Sequence, residues 1–156
     1  MKWFNRKWRL IILSAGTLLL QPGCKSSKTP ALFEELPSSL TNISFANTLP
    51  EREMLNILYY LYYYNGGGVS TGDINNDGLV DIYFTANSRG NNKLYLNKGD
   101  FKFEDITATA GVAGAADWCS GVTMADVNAD GYLDIYVVAS SGHHGLTGRN
   151  QLFINN

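Results

Sequence analysis

The chain has 156 residues, enough for one modest domain with a hydrophobic core. Its 16 glycines, 9 tyrosines and 7 phenylalanines favour strands joined by glycine-rich turns over helices. The formal net charge is −2, but four basic residues precede residue 10, so residues 24–156 carry 8 basic against 14 acidic side chains. This acidic balance argues against nucleic-acid binding and suits the binding of cations.

The N-terminus has the pattern of an export signal. Its basic start is followed by the apolar run from Leu10 to Leu20, which is too short to span a bilayer as a mature helix. The stretch QPGC then resembles the lipobox of bacterial lipoproteins, in which the cysteine becomes the acylated N-terminus, although Gln21 stands where that motif usually has an aliphatic residue. We therefore expect a signal peptide over residues 1–23, lipidation of Cys24, and a place in the bacterial cell envelope, at the outer membrane. An ordinary signal peptide that contains a cysteine is the alternative.

A polar, aperiodic segment follows the cysteine. Residues 24–42 contain KSSKTPALFEELPSS and are predicted to be a flexible tether, with folded structure beginning near Ile43 and Phe45. The run LNILYYLYYY at 55–64 is strongly β-prone and ends in NGGG, so it is predicted to be a strand, with a helix as the rival interpretation.

An internal repeat follows. The acidic stretch DINNDGLVD at 73–81 matches DVNADGYLD at 126–134, and seven positions are identical in the eleven-residue windows that begin there. Downstream, NKLYLNK at 92–98 matches NQLFINN at 150–156, after a loop that is five residues longer in the second copy.

Each repeat is predicted to form one blade of a β-propeller. The pattern reads strand, acidic turn, strand, polar loop, strand, and FKFEDIT at 101–107 supplies a fourth strand. Repeat 1 covers about residues 60–110, and repeat 2 covers about residues 113–156 in truncated form. We therefore predict an all-β fold for residues 43–156, with about two four-stranded blades of an incomplete propeller that continues in a longer protein. A small self-contained β-sandwich is the alternative.

Both acidic stretches fit the spacing of a calcium-binding loop. Side-chain oxygens stand at positions 1, 3, 5 and 9, position 7 offers its backbone carbonyl, and a glycine at position 6 permits the sharp bend. Hard oxygen donors without His, Cys or Met favour Ca²⁺ over zinc or copper, and Mg²⁺ prefers fewer protein ligands. The candidate metal ligands are Asp73, Asn75, Asp77, Leu79 and Asp81 in the first loop, and Asp126, Asn128, Asp130, Tyr132 and Asp134 in the second.

Electrostatic repulsion supports a metal in these loops. Two carboxylates about 4 Å apart repel by roughly 4 kcal/mol at an effective dielectric constant near 20, so three converging carboxylates need a cation. The alternative is that Asp and Asn act only as turn formers facing water, but the same spacing in two copies argues against it. A helix–loop–helix EF-hand is disfavoured because position 12 holds Phe84 and Val137 instead of a bidentate Glu.

The stretches NGGGVSTGDINNDGLVDIYF and SGVTMADVNADGYLDIYV resemble FG-GAP repeats, also called VCBS repeats, over about residues 60–156. Such repeats build the calcium-binding β-propellers of integrin α-chain heads and of many bacterial envelope proteins. The resemblance implies that the Asp and Asn side chains of each loop ligate one Ca²⁺. The N-terminal half is similar to bacterial lipoproteins whose longer relatives carry a C-terminal ASPIC/UnbV-type domain.

Four other residues attract attention but are predicted to have ordinary roles. Cys119 is expected to be a small buried residue, and Trp118 a core residue rather than a sugar-stacking one. His143 and His144 lie between glycines in the five-residue insertion and are expected to be solvated rather than to bind a metal or ligand. No arrangement typical of nucleophilic or acid–base catalysis is evident, so no catalytic residue is predicted.

Two functions are compatible with this sequence. The favoured one is a calcium-binding, lipid-anchored scaffold without enzymatic activity, whose propeller binds a protein or glycan and which contacts the membrane through its anchor. Metal ligation already explains the acidic clusters, and the family resemblance implies adhesion or recognition. The alternative is the N-terminal portion of an envelope enzyme whose catalytic region lies downstream.

Overall fold

Strands joined by tight turns make up most of the folded chain. A computed structural model of the protein describes residues 31–49 and 51–156. Residues Leu36–Asn156 form one compact unit, and residues 31–35 belong to another. The predicted signal peptide, Cys24 and the first part of the tether lie outside the described residues. Within the described part, none of the helices has the length and apolar character needed to cross a membrane.

The two repeats fold into two separate antiparallel sheets. The elements are α1 (Ser38–Thr41), β1 (Val69–Gly72), β2 (Asp81–Phe84), β3 (Lys93–Asn97), β4 (Phe103–Asp105), α2 (Thr107–Ala110), β5 (Cys119–Ala125), β6 (Asp134–Ala139) and β7 (Gln151–Phe153). The first sheet has the order β1-β2-β3-β4, and the second has the order β5-β6-β7. The predicted all-β class is therefore confirmed, with one sheet for each repeat. The one-turn helix α1 lies within the predicted tether and buries none of its residues.

Strand register places the acidic stretches at equivalent hairpins. Gly72 pairs with Asp81 at the end of the β1–β2 ladder, and Ala125 pairs with Asp134 at the end of the β5–β6 ladder. Each acidic stretch is therefore the loop that joins the first and second strands of its sheet.

The first sheet packs one of its faces against the second sheet. Tyr83 and Leu94 are cross-strand partners, and both belong to a core cluster that also contains Ile135 and Val137 of the second sheet. Because side chains alternate between the two faces of a strand, Ile82 lies on the opposite face from Tyr83. The interface between the repeats is thus the main hydrophobic core.

Residues before the first strand cover the opposite face of the first sheet. The ring of Phe45 stacks on Phe84 with centroids 4.8 Å apart and an interplanar angle of 11°. The Ser44 N–H donates a hydrogen bond of 3.2 Å to the hydroxyl oxygen of Tyr95. The N-terminal segment therefore contacts the first sheet through Ser44 and Phe45.

The second sheet exposes the face that the first sheet buries. Tyr136 and Leu152 take the places of Tyr83 and Leu94 in the repeat. They are 37% and 49% exposed, whereas Tyr83 and Leu94 are 0% and 2% exposed. The second sheet therefore presents to solvent an apolar face of the kind that a neighbouring sheet covers in the first repeat.

The strand predicted over residues 55–64 is wrong. The run forms consecutive turns, in which the Tyr60 N–H donates to the Asn56 carbonyl at 2.9 Å. The buried residues of the run are Leu55 and Tyr63, which are eight positions apart. The run therefore lacks the burial of every second residue that is typical of a strand. Tertiary packing has overridden the β propensity of the tyrosines, because none of the strands in the described part of the chain pairs with this segment.

Trp118, just before β5, and Cys119, the first residue of β5, are buried, as predicted. Trp118 is 2% exposed, and its ring lies 5.6 Å from that of Tyr63. Cys119 is a free, buried cysteine that is 1% exposed, and burial raises the pKa of its thiol. Trp118 packs with Leu55 and Tyr63 of the preceding turns, whereas Cys119 belongs to the core between the two sheets.

Candidate cation-binding loops

The first acidic loop is organised by hydrogen bonds from its own side chains. The Asp73 carboxylate accepts the Asp77 N–H at 3.1 Å and the Gly78 N–H at 2.7 Å. The Asn75 amide donates to Asp77 at 2.9 Å, and Asp77 also accepts the Leu79 N–H at 2.8 Å. The pKa of Asp77 is lowered mainly by the hydrogen bond from the Asn75 amide and then by the one from the Leu79 N–H.

The second loop repeats this network bond for bond. Asp126 accepts the N–H groups of Asp130 at 3.2 Å and of Gly131 at 2.9 Å. Asn128 donates to Asp130 at 2.7 Å, and Asp130 accepts the Tyr132 N–H at 2.9 Å. The Gly131 N–H is the main cause that lowers the pKa of Asp126. The repeated sequence pattern thus specifies one loop conformation.

The backbone bends at the same two positions in both loops. Gly78 and Gly131 have φ values of 86° and 91°, which confirms the glycine-dependent bend at position 6. Asn76 and Ala129 occupy the equivalent left-handed position near the middle of each loop, with φ values of 57° and 61°. Asparagine tolerates this conformation, whereas alanine adopts it at a cost of about 1–2 kcal/mol.

The aspartate at position 9 differs from the other candidate ligands because it is buried. Asp81 is 0% exposed and Asp134 is 1% exposed. Each carboxylate accepts two backbone N–H groups: Asp81 binds Ile74 at 2.9 Å and Asn97 at 2.8 Å, and Asp134 binds Val127 at 2.9 Å and Asn155 at 2.9 Å. Each buried carboxylate therefore fastens the start of its loop to a residue at the end of the third strand (Asn97) or just after it (Asn155).

These buried carboxylates have no cationic side chain beside them. None of the ion pairs in the described part of the chain includes Asp81 or Asp134. Burial raises the pKa of Asp81 and outweighs the hydrogen bonds from the Asn97 and Ile74 N–H groups, which lower it. The negative charges of Asp77 and Asp73 raise this pKa further. Buried charges in proteins are usually paired or coordinate metals, so the ionised form of Asp81 would be stabilised by a nearby cation.

The oxygen donors of each loop are of the kind that a hard divalent cation prefers. The carboxylates, however, are not close together. Within residues 31–49 and 51–156, no three His, Cys, Asp or Glu side chains are clustered tightly enough to hold a metal by themselves. A cation in either loop would therefore also need amide and backbone oxygens, such as the carbonyls of Leu79 and Tyr132. A carboxylate oxygen that accepts one N–H keeps a lone pair for a metal, so the loop hydrogen bonds do not prevent ligation.

A second acidic centre, at Asp117, was not identified from the sequence. This residue is 9% exposed, and one of its oxygens accepts the Thr147 N–H at 2.8 Å and the Thr147 hydroxyl at 2.7 Å. Its other oxygen lies 3.1 Å from Arg89 Nε and 3.9 Å from an Arg52 nitrogen. Asp117 thus fastens the five-residue insertion of the second repeat to the first repeat, which no local sequence signal could indicate.

The histidines of the insertion are arranged differently from each other. His143 is exposed, as predicted, whereas His144 is partly buried and its ring lies 5.7 Å from that of Tyr60. The insertion therefore packs on the turns of residues 55–64.

We expect Asp117→Asn to destabilise the protein by about 1–3 kcal/mol at pH 7, the cost of weakening hydrogen bonds to a charged group. The Thr147 hydroxyl, its N–H and Arg89 lower the pKa of Asp117 to about 2. Because the folded pKa lies below the unfolded value, this stabilisation is complete above about pH 4 and is lost as the pH falls towards 2. Urea unfolding of both proteins between pH 7 and pH 3 should show their difference shrinking below pH 4, while the exposed Asp100→Asn control shows no such change.

Comparison with known proteins places these loops in a recognised repeat. Residues 73–137, which include both acidic loops, match the family model described as FG-GAP-like repeat. Over 84 residues the chain is 40% identical to cartilage acidic protein 1 of Xenopus tropicalis, 42% to that of Homo sapiens and 40% to that of Mus musculus. The alignments cover 54% of this chain but 13% of each relative. Residues 73–137 are therefore similar to an FG-GAP-like repeat, and 84 residues of the chain are similar to about an eighth of cartilage acidic protein 1.

Proposed function

We propose that this chain is part of a calcium-binding, lipid-anchored envelope protein whose repeats act as a non-catalytic binding scaffold. An FG-GAP-like repeat region suggests such a binding or scaffold role. The observation that carries the calcium proposal is the pair of loops with the same hydrogen-bond network, each built beside a buried aspartate without a cationic partner in the described residues.

The ligands would come from both loops in the same way. Each site would use the four side chains at positions 1, 3, 5 and 9 and the carbonyl at position 7. These are Asp73, Asn75, Asp77, Leu79 and Asp81 in one loop, and Asp126, Asn128, Asp130, Tyr132 and Asp134 in the other. A bound Ca²⁺ would supply the positive charge that offsets carboxylate repulsion and the burial of the position-9 aspartate.

Calcium is expected to stabilise the fold. At an affinity typical of extracellular modules, a Kd of about 10⁻⁴ to 10⁻³ M, each site adds roughly 1.4 kcal/mol when free Ca²⁺ is about tenfold above Kd. Two sites together would raise the melting temperature by several degrees relative to excess chelator. Thermal unfolding of the full chain in millimolar Ca²⁺ and in EDTA measures this effect.

A double variant gives the matched control. Asp77→Asn with Asp130→Asn removes one charge from each loop but keeps an oxygen that can accept the Leu79 and Tyr132 N–H groups. We expect its stability in EDTA to stay near that of the wild type and its response to calcium to fall sharply. Equal melting of the wild-type protein in Ca²⁺ and in EDTA would refute the calcium proposal.

The lipid anchor is a separate part of the proposal. It is supported by the apolar run before the QPGC stretch, which places Cys24 after a small residue. Mass spectrometry of the N-terminal peptide from the native host should find an acylated Cys24 as the first residue. An unmodified N-terminus that begins at another residue would remove the anchor and leave the calcium proposal intact.

An exposed apolar surface offers a place for a protein or glycan partner. It is formed by the turns of residues 54–64, where Leu58 and Leu61 are 86% and 80% exposed and Tyr62 is 63% exposed. Because this segment precedes β1 and packs on Trp118 before β5, it lies at the end of the strands opposite the acidic loops. A glycan array and a protein-binding screen with the wild type and with Leu61→Ser/Tyr62→Ser would test it; a ligand that binds both equally would exclude this surface.

A further inference from the structure

We propose that the two acidic loops are energetically coupled, so that a cation held by one loop raises the affinity of the other. This inference rests on the proposed calcium function and concerns how the two sites affect each other. It is carried by two hydrogen-bonded connections between the loops.

The first connection joins the two loops directly. The side-chain amide of Asn76 donates to the Gly131 carbonyl at 3.1 Å. Asn76 stands between the candidate ligands Asn75 and Asp77, and the Gly131 N–H donates to the candidate ligand Asp126 at 2.9 Å. The single residue Gly131 is therefore held through its N–H by its own loop and through its carbonyl by the first loop.

The second connection runs between the two buried carboxylates. The Asn155 N–H donates to Asp134 at 2.9 Å, and the Asn155 side-chain amide donates to the Ile74 carbonyl at 2.7 Å. The Ile74 N–H in turn donates to Asp81 at 2.9 Å. Asp134 and Asp81 are thus joined through one asparagine and one residue of the first loop.

These connections favour positive coupling. A cation in the first loop would hold that loop in its ligating conformation and so fix Asn76 and Ile74. Their hydrogen-bond partners Gly131 and Asn155 would then be oriented before the second cation binds. The second loop would therefore lose less conformational entropy when it binds its own cation. Repulsion between two bound cations acts in the opposite direction but is screened over about 8 Å at 0.15 M ionic strength. Direct hydrogen bonds are much less sensitive to salt, so the coupling should persist at that ionic strength.

The repeat itself supplies matched controls. Ala129 occupies in the second loop the position of Asn76 and has nearly the same φ, so alanine is compatible with this loop conformation. Asn76→Ala therefore removes the contact between the loops while leaving the first loop able to fold. Asn97 is the counterpart of Asn155, but its amide donates to the Val80 carbonyl within its own repeat at 2.9 Å.

A luminescent cation can report on the second loop alone. Tyr132 would offer its carbonyl to the second site, whereas Leu79 stands in its place in the first, so the tyrosine-excited Tb³⁺ luminescence that is lost in Tyr132→Leu is assigned to the second loop. The Tyr132→Leu variant defines the background from other aromatic residues. Titrations of the full chain with Tb³⁺ at 0.15 M salt would compare the wild type, Asn76→Ala, Asn155→Ala, and a variant with the first site disabled by Asp73→Asn and Asp77→Asn.

The expected results follow from the coupling. Disabling the first site should weaken Tb³⁺ binding at the second loop about fivefold, the lower end of typical coupling between sites. Asn76→Ala or Asn155→Ala should produce part of this loss, and adding either to the disabled first site should cause little more. Asn97→Ala should leave the affinity of the second loop unchanged.

Two contrary results have different meanings. If the second loop binds Tb³⁺ with the same affinity, within twofold, when the first site is disabled, the loops are independent and the coupling is wrong while cation binding stands. If the wild-type protein binds neither Tb³⁺ nor Ca²⁺ at millimolar concentration, the calcium function is wrong and the coupling falls with it.

Discussion

Replacing Asp81 with alanine is expected to lower the free energy of unfolding by about 3–5 kcal/mol, even in excess chelator. The side chain is fully buried and accepts the N–H groups of Ile74 and Asn97. Alanine leaves both donors without an acceptor, at about 1–3 kcal/mol each, and removes packed volume as well. Urea unfolding in EDTA measures this loss without any contribution from bound metal.

Two further variants of the same loop distinguish the contribution of the buried carboxylate to stability from that of an exposed one. Asp81→Asn keeps one oxygen acceptor but turns an amide N–H towards the other donor, so we expect a smaller loss of about 1–3 kcal/mol. Asp77→Ala removes an exposed carboxylate and should destabilise the protein much less than Asp81→Ala does in EDTA. If Asp81→Ala is no more destabilising than Asp77→Ala, the fastening of the loop to the third strand contributes little.

Gly68→Ala is expected to destabilise the protein by about 1–3 kcal/mol or more by forcing the two sheets apart. A Cβ atom at this position would lie 2.8 Å from the Gly121 Cα and 2.9 Å from the Val122 nitrogen. Both are backbone atoms of β5, so they cannot move aside as a side chain could, and overpacking of this kind has this cost. Thermal unfolding should show a fall in melting temperature of several degrees.

The equivalent glycine of the second repeat provides the control. A Cβ atom on Gly121 would meet the Val138 Cβ at 3.9 Å, which is ordinary van der Waals contact. Gly121→Ala should therefore leave stability within about 1 kcal/mol of the wild type. Equal effects at the two positions would contradict the close approach of β1 and β5.

Features encoded within one repeat could be predicted from the sequence. The alternation of strands and turns gave the two sheets, and the acidic stretches were placed correctly at the first hairpin of each sheet. The bend at Gly78 and Gly131 followed from the same spacing. All of these depend on contacts between residues close in the chain, which leave a local pattern.

Features that depend on distant residues were missed. The turns of 55–64 follow from burial of Leu55 and Tyr63 against a different part of the fold, which their own β propensity does not reveal. The sequence also predicted Asp81 and Asp134 to be metal ligands equivalent to the others, without indicating that both are buried and accept N–H groups at or just after the end of the third strand. That distinction arises only when the sheet is assembled.

Calorimetric titration of the full chain with Ca²⁺ tests most directly whether hard divalent cations occupy the two hairpin loops. We expect two ions for each chain, with Kd values of about 10⁻⁴ to 10⁻³ M, and one ion when Asp73 and Asp77 are both replaced by asparagine. A folded wild-type protein that takes up no Ca²⁺ in this range would contradict the account.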